Sequence, residues 1–277
     1  MSVTFHGVRG STPCHGDDIV RYGGNTSCVS LVIPGEDPIL FDLGTGLRYF
    51  GLGLPLDRPF SGTCLLSHLH WDHIQGLPFF KPLLDGGANL SLYAPAQQSG
   101  RDAAQIFSET VKPPLFPINF SEFPGNVEFH SVGDDEFAVG AAQVTSRFVP
   151  HVDSTLGYSV TWQGKSVTYL SDHQMPADGS CSFSPGAIDL CRGVDLLIHD
   201  AQYTTTEFAD RDDWGHCTPE FAIRLASEAG VKRLALFHHD PSHSDDMLDE
   251  FLGEAIELAD QLGVEAFASR ERQTVTV

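Results

Sequence analysis

Three histidines and an aspartate, His68, His70, Asp72 and His73, stand within six positions directly after the apolar run at residues 63–66. Neutral imidazole and carboxylate are the ligands that borderline divalent ions such as zinc prefer, and the H-x-H-x-D-H spacing lets alternate side chains turn toward one point as a strand ends. A solvated loop has no reason to carry that ligand density. The chain is therefore expected to bring this strand end to a metal ion, with further ligands arriving from other strand ends.

Strand signals are plentiful. Short β-branched and aromatic runs recur at residues 3–5, 28–33, 39–41, 63–66, 90–93, 127–129, 143–149, 158–162, 166–170, 196–198 and 234–237, separated by clusters of Gly, Pro, Asp and Ser. Helical spacing is clearest over residues 245–262, where Leu248, Phe251, Leu252, Ile256, Ala259 and Leu262 recur at three- and four-residue steps and Gly263 marks the stop. A second helix starts with Thr218 as N-cap and Pro219 at the first helical position, with Glu220 in the first turn, and ends by Gly230. A third is expected over residues 100–110. No internal repeat or low-complexity linker interrupts the pattern, so one domain of mixed sheet and helix is expected over residues 1–277. The least regular stretch, 112–125, sets Pro113, Pro114, Pro117 and Pro124 among Leu115, Phe116, Ile118, Phe120 and Phe123. It reads as a lid, a dimer contact or a surface loop tucked onto the core.

Three later strands end in a candidate ligand. His151 follows residues 146–150, Asp172 follows 167–171, and His238 follows 234–237, with His239 its immediate competitor. Together with the opening cluster they supply His68, His70 and His151 to one ion and Asp72, His73 and His238 to a second, with the Asp172 carboxylate able to bridge both. His173, Asp240 and His243 are candidates for fixing ligand orientation, whereas His6, His15, His130 and His199 read as structural or surface residues.

Lys and Arg total 16 against 37 Asp and Glu, a formal net charge of −21. Long-range repulsion of polyanions is expected, hence no long nucleic acid as partner, while a small phosphorylated substrate held by metal remains compatible. Arg9 and Arg21 lie in or beside the glycine-containing turns at residues 7–11 and 21–27, where either is a candidate contact for a substrate anion. The six scattered cysteines fit reduced thiols, and neither a leader-like N-terminus nor an apolar run of about 18 residues is present. The expectation is a soluble cytoplasmic protein without a membrane partner.

With these ligands in order, the chain resembles the metallo-β-lactamase superfamily, in its ribonuclease Z and cyclic phosphodiesterase branch. The resemblance rests on the strand and glycine turn at 41–46, the cluster at 68–73, the segment 196–201, and the block running from Gly215, His216, Cys217 and Thr218 to His238. It implies an αββα sandwich with a dinuclear site at one edge between two sheets, loaded with two divalent ions, Zn²⁺ or Mn²⁺. It further implies that His216 acts on the leaving group and that Asp200, where the family more often has Glu, orients it. Dimers are common among the proteins it resembles.

Two-metal sites of this kind activate water for hydrolysis, with Asp72 placed to accept or steer its proton. Relatives with the same cluster hydrolyse phosphodiesters, lactones, thioesters and β-lactams. The His216 block favours phosphodiesters. Only twenty residues separate His151 from Asp172, too few for the basic arm that tRNA processing implies in this branch, so a 3′,5′-cyclic nucleotide is the expected substrate. The alternatives are a hydrolase of lactones, thioesters or carboxylic esters, and a non-catalytic binding or sensing protein. An oxygen-reducing di-iron protein is disfavoured, because such relatives carry Glu where His70 stands.

Overall fold

The computed structural model describes residues 1–55 and 57–277. Its strands are β1 (Ser2–Gly7), β2 (Cys28–Val32), β3 (Ile39–Phe41), β4 (Ser61–Leu65), β5 (Asn89–Pro95), β6 (Asn126–Val132), β7 (Glu136–Val139), β8 (Ala142–Phe148), β9 (Leu156–Trp162), β10 (Lys165–Leu170), β11 (Leu196–Asp200), β12 (Arg233–Phe237), β13 (Glu265–Ala268) and β14 (Thr274–Thr276). They form two seven-stranded mixed sheets, ordered β14-β1-β2-β3-β4-β5-β6 and β13-β12-β11-β10-β9-β8-β7. The helices are α1 (Leu47–Leu52), α2 (Trp71–Ile74), α3 (Lys81–Asp85), α4 (Ala103–Thr110), α5 (Pro185–Cys191), α6 (Thr205–Ala209), α7 (Pro219–Ala229) and α8 (Asp245–Gln261).

Alternation dictates how the sheets face each other. Val3 and Phe5 of β1, Leu31 of β2 and Phe41 of β3 point from the first sheet into a shared core with Tyr158, Tyr169, Ile198 and Phe237 of the second. Phe41 stacks on Tyr169 at 4.9 Å across that interface. Each such buried aromatic contributes roughly 1.5–3 kcal/mol by leaving water. The opposite faces take helices, with α5, α7 and α8 on the second sheet and α1, α3 and α4 on the first. The result is the helix–sheet–sheet–helix sandwich that the resemblance implies. Strand β11 runs parallel to both neighbours and is buried along its whole length, as a strand covered on both faces should be.

Each run read as a strand forms one, and the helices expected near 100–110, 218–230 and 245–262 occur as α4, α7 and α8. Strands β7, β13 and β14 carry no readable sequence signal, nor do the short helices α1, α2, α3, α5 and α6. They are three to seven residues long, too short for either period to register. The stretch 112–125 holds only a three-residue 3₁₀ turn, Phe120–Glu122, and packs Phe116, Phe120 and Phe123 onto the core while leaving Leu115 in solvent. Among the described residues no helix is long and apolar enough to cross a membrane.

Candidate metal centre and catalytic dyad

The carboxyl ends of β3, β4, β10, β11 and β12 open on one edge between the sheets, where ligands gather in open α/β sheets. From the first sheet, β4 runs into Ser67 and His68, His70 occupies the N-cap of α2, and Asp72 and His73 fall in its single turn. From the second come His151 after β8, Asp172 after β10, Asp200 at the end of β11 and His238 after β12.

These side chains meet in two groups. His68, His70 and His151 form one, and Asp72, His73 and His238 the other; within each, the donor atoms lie within 4.8 Å of one another. Asp172 stands between them. Its Oδ1 lies 3.2 Å from His73 Nε2 and 3.4 Å from His238 Nε2, and its Oδ2 lies 3.7 Å from His68 Nε2 and 3.8 Å from His151 Nε2. Buried polar atoms are nearly always hydrogen-bonded, yet His68 Nε2, His73 Nε2, His238 Nε2 and Asp172 Oδ1 are all buried without a partner. Such convergent, unpartnered donors fit a divalent cation.

Charge points the same way. Burial alone would lower the His73 imidazole, but Asp72, Asp172 and Asp42 together hold it well above its usual value, so the cluster calls for positive charge at its centre. Burial keeps His68 and His151 low, and hence neutral, as metal ligation requires.

The surroundings hold the donors in place. Asp42, fully buried after β3, accepts from Ser67 N–H at 2.7 Å, from Tyr169 Oη at 2.7 Å and from Ser67 Oγ at 2.9 Å, and sits 2.7 Å from His73 Nδ1. His238 Nδ1 pairs with Gln202 Oε1 at 2.8 Å, and the Gln202 amide donates to Asp240 Oδ2 and to Ser11 Oγ, each at 3.3 Å. The Ser11 N–H donates to Asp72 Oδ2 at 2.8 Å. Gly10 must be glycine, since a Cβ there would lie 2.5 Å from His238 Nδ1. His151 Nδ1 rests on the Gly215 carbonyl at 2.7 Å. His70, the most exposed of the set, lies 3.3 Å from Asp153.

His216 Nδ1 lies 2.9 Å from Asp200 Oδ2, and Asp200 is itself held by the N–H groups of His173 and Gln202. Burial would lower His216, but Asp200, with Asp172 and Asp72 behind it, raises it above its ordinary value. It stands two residues before Thr218, whose hydroxyl caps α7. Its Nδ1 is also 3.8 Å from Asp172, and Asp172, His216 and His238 form a further group whose donor atoms lie within 4.8 Å of one another.

Several sequence expectations change. His239 turns away from the centre, bonding Ser269 O at 3.0 Å while burial pushes it down to about 3. His238 has φ of 60°, and this left-handed turn at the strand end aims its ring inward. Arg9 is wholly buried, bonded to the carbonyls of Gly23, Asp240 and His243, and Arg21 pairs with Asp246 and Asp249 on the surface; neither reaches the centre. His243 bonds Glu207, and His173 contributes its backbone amide while its ring pairs with His199. The roles of Asp42, Ser67, Gln202 and Ser11 behind the donors are not given by the sequence, although Asp42 lies in the 41–46 motif and Ser11 in the 7–11 turn. Asp42 was findable, because it follows the strand 39–41 as the ligands follow theirs; Gln202 and Ser11 carry no such signal.

A sandwich of this kind with a His/Asp centre, in a chain whose relatives are named ribonuclease Z, is a metal-dependent hydrolase. Residues 39–239 match the family described as beta-lactamase superfamily domain, and the chain belongs to that superfamily. It is 25% identical to the ribonuclease Z of Trichodesmium erythraeum over 305 positions, covering 92% of this chain and 90% of that protein. With the ribonuclease Z of Natronomonas pharaonis the identity is 26% over 324 positions, covering 100% and 98%. Among solved structures, the metallo-β-lactamase fold protein YhfI from Bacillus subtilis superposes with a TM-score of 0.72 at 20% identity, covering 99% of this chain and 98% of its own. Human tRNase Z, short form, gives 0.68 at 21%, covering 100% and 99%, and zinc-bound PqqB from Methylobacterium extorquens gives 0.72 at 16%, covering 100% of both. The relatives named ribonuclease Z overturn the expectation of no long nucleic acid. Net charge sets the far field, which salt screens within about 10 Å, whereas recognition is decided by local contacts inside that range.

Proposed function

We propose that this chain is a dinuclear phosphodiesterase. The observation that carries the reading is the His216–Asp200 pair beside a two-part donor cluster that shares Asp172. His68, His70 and His151 would hold one divalent ion, Asp72, His73 and His238 the other, and Asp172 both; zinc fits the nitrogen-rich donor set, with manganese as the alternative. Bound there, the ions supply Lewis acidity that activates water and offsets charge on the phosphoryl oxygens.

The residues do the rest. Asp72, at the inner edge of α2, accepts the proton of the attacking water. His216, held on Asp200 through Nδ1, donates the Nε2 proton to the departing oxygen. Its raised affinity for a proton suits that role near neutral pH. The free cysteines support a reducing, cytoplasmic setting.

Within this class a 3′,5′-cyclic nucleotide is the favoured small substrate. Strands β9 and β10, which separate His151 from Asp172, are joined by the two-residue turn of Gln163 and Gly164, so no arm projects there. The alignment with the Natronomonas protein runs over 324 positions against 277 residues here, so that relative carries segments this chain lacks. A second reading, an RNA 3′ end, is favoured by the ribonuclease Z relatives themselves.

The test is turnover by zinc- or manganese-loaded protein of bis(p-nitrophenyl) phosphate, 3′,5′-cyclic AMP, a tRNA precursor with a 3′ trailer, and a lactone panel. Phosphodiester cleavage with cyclic AMP preferred is expected. Lactone turnover without any phosphodiester turnover would sink the proposal.

A further inference from the structure

Trp71 stands between His70 and Asp72, yet its indole is 56% exposed, and Phe79 and Leu115 are 59% and 76% exposed beside it. With Arg48, Gln75 and Phe116 these residues line a cavity of about 290 Å³. Its walls are held from three directions. Trp71 belongs to α2, which carries Asp72 and His73; Gln75 bonds Thr26 Oγ1 at 3.3 Å; and Phe116, from the Pro-rich stretch, packs edge-on against Phe79 at 5.8 Å. Arg48 makes no ion pair among the described residues, and its guanidinium lies 5.4 Å over the Tyr49 ring.

Exposed apolar side chains grouped at the rim of a polar site mark a surface that something covers. Here they form a concavity next to the donor cluster, and its lining combines flat aromatic faces with one cation. We propose that this cavity is the base-binding subsite of the enzyme: a nucleobase of the substrate stacks on Trp71, and Arg48 meets an acceptor oxygen or nitrogen on its edge. This rests on the phosphodiesterase reading. A planar ring fits aromatic walls and an adjacent guanidinium, whereas a purely apolar partner surface has no use for the charge. Because every base has a π-face, the subsite separates substrates with a base from those without one more than it separates bases from each other.

Two esters that share a leaving group test it: thymidine 5′-(p-nitrophenyl) phosphate and methyl p-nitrophenyl phosphate, assayed on the metal-loaded full chain. Wild type should prefer the nucleoside ester in kcat/KM. Trp71→Ala should cut that preference about tenfold, chiefly through KM, as loss of one base–aromatic stack implies. Trp71→Phe should restore most of it. Since Trp71 adjoins two members of the cluster, Phe79→Ala, on another wall, should lower the same ratio with metal content retained. A preference unchanged in all variants overturns the proposal. Indole fluorescence gives a readout without turnover: AMP, but not ribose 5-phosphate, should quench wild type and leave Trp71→Phe unaffected. If neither ester is hydrolysed but AMP alone quenches, the phosphodiesterase reading falls and the subsite stands. If both esters are hydrolysed without preference and both ligands quench alike, the subsite falls and the phosphodiesterase reading stands. A dimer abolished by Leu115→Glu, with no base preference, would assign this face to a second copy instead.

Discussion

Asp42 has no exposed surface, and its two oxygens gather contacts from His73, Ser67 and Tyr169. Asp42→Asn puts an amide N–H where these donors converge. Metal affinity should fall about 10–100-fold, as for other carboxylates behind a ligating histidine; a competition titration that finds wild-type affinity would refute the assignment. His216→Ala should retain bound metal and lose about 10²–10⁴-fold in turnover of alkyl-leaving diesters. Turnover of p-nitrophenyl esters should fall less, because p-nitrophenolate leaves without a proton; equal losses on both would remove His216 as the acid. His6 tests the scaffold instead. Burial pushes it from 6.5 to about 4 while Nε2 bonds Ser30 Oγ at 2.8 Å. With the folded value below the unfolded one, the unfolded chain binds the extra proton, so stability from this group is present above pH 6.5 and lost as pH falls toward 4. Urea unfolding at both pH values should show a smaller loss in His6→Gln than in wild type; identical losses would contradict this.

At the scale of elements, the β9–β10 hairpin turns on Gln163 and Gly164 with φ of 48° and 75°. Two left-handed residues suit a type I′ turn, where Asn-Gly is preferred. Gln163→Asn should therefore stabilise by roughly 0.5–1 kcal/mol, measured by chemical denaturation, and a loss of stability would mean a different turn. The elements visible in the sequence had strong local codes, such as the cap at Thr218 with Pro219 and the apolar stripe of α8. Strand β13, with Glu265, Ala266, Phe267 and Ala268, has no such code and exists because it pairs in parallel with β12.

The centre draws Asp42, His68, His70, Asp72 and His73 from one sheet and His151, Asp172, Asp200 and His238 from the other, so a bound cation ties the two halves of the sandwich together. Chelation should lower Tm, since ligand binding at 100 times Kd stabilises by about 2.7 kcal/mol and a chain of this size shifts roughly 2–4 °C per kcal/mol. A drop of about 5 °C or more is expected by calorimetry after exhaustive chelation, and an unchanged Tm would refute the tie. The net charge of −21 acts on the same scale. If RNA is turned over, kcat/KM should rise with added salt as repulsion is screened, opposite to the usual dependence for nucleic-acid binding; a fall would show that local cations dominate.

The residues at 68–73, and the later strand ends at His151, Asp172 and the adjacent pair His238 and His239, are legible from sequence alone, because strand periodicity and ligand chemistry are both local properties of the chain. The His216 and Asp200 partnership came with the resemblance rather than from spacing. Tertiary structure decided the rest. It chose His238 over His239 by a left-handed turn, buried Arg9 as a structural cation, brought Gln202 and Ser11 behind the donors, and set Trp71 over a cavity shared with the 112–125 stretch. Adjacent residues have the same sequence neighbourhood and differ only in direction. Contacts between segments far apart in the chain leave no period or motif, so only packing fixes them.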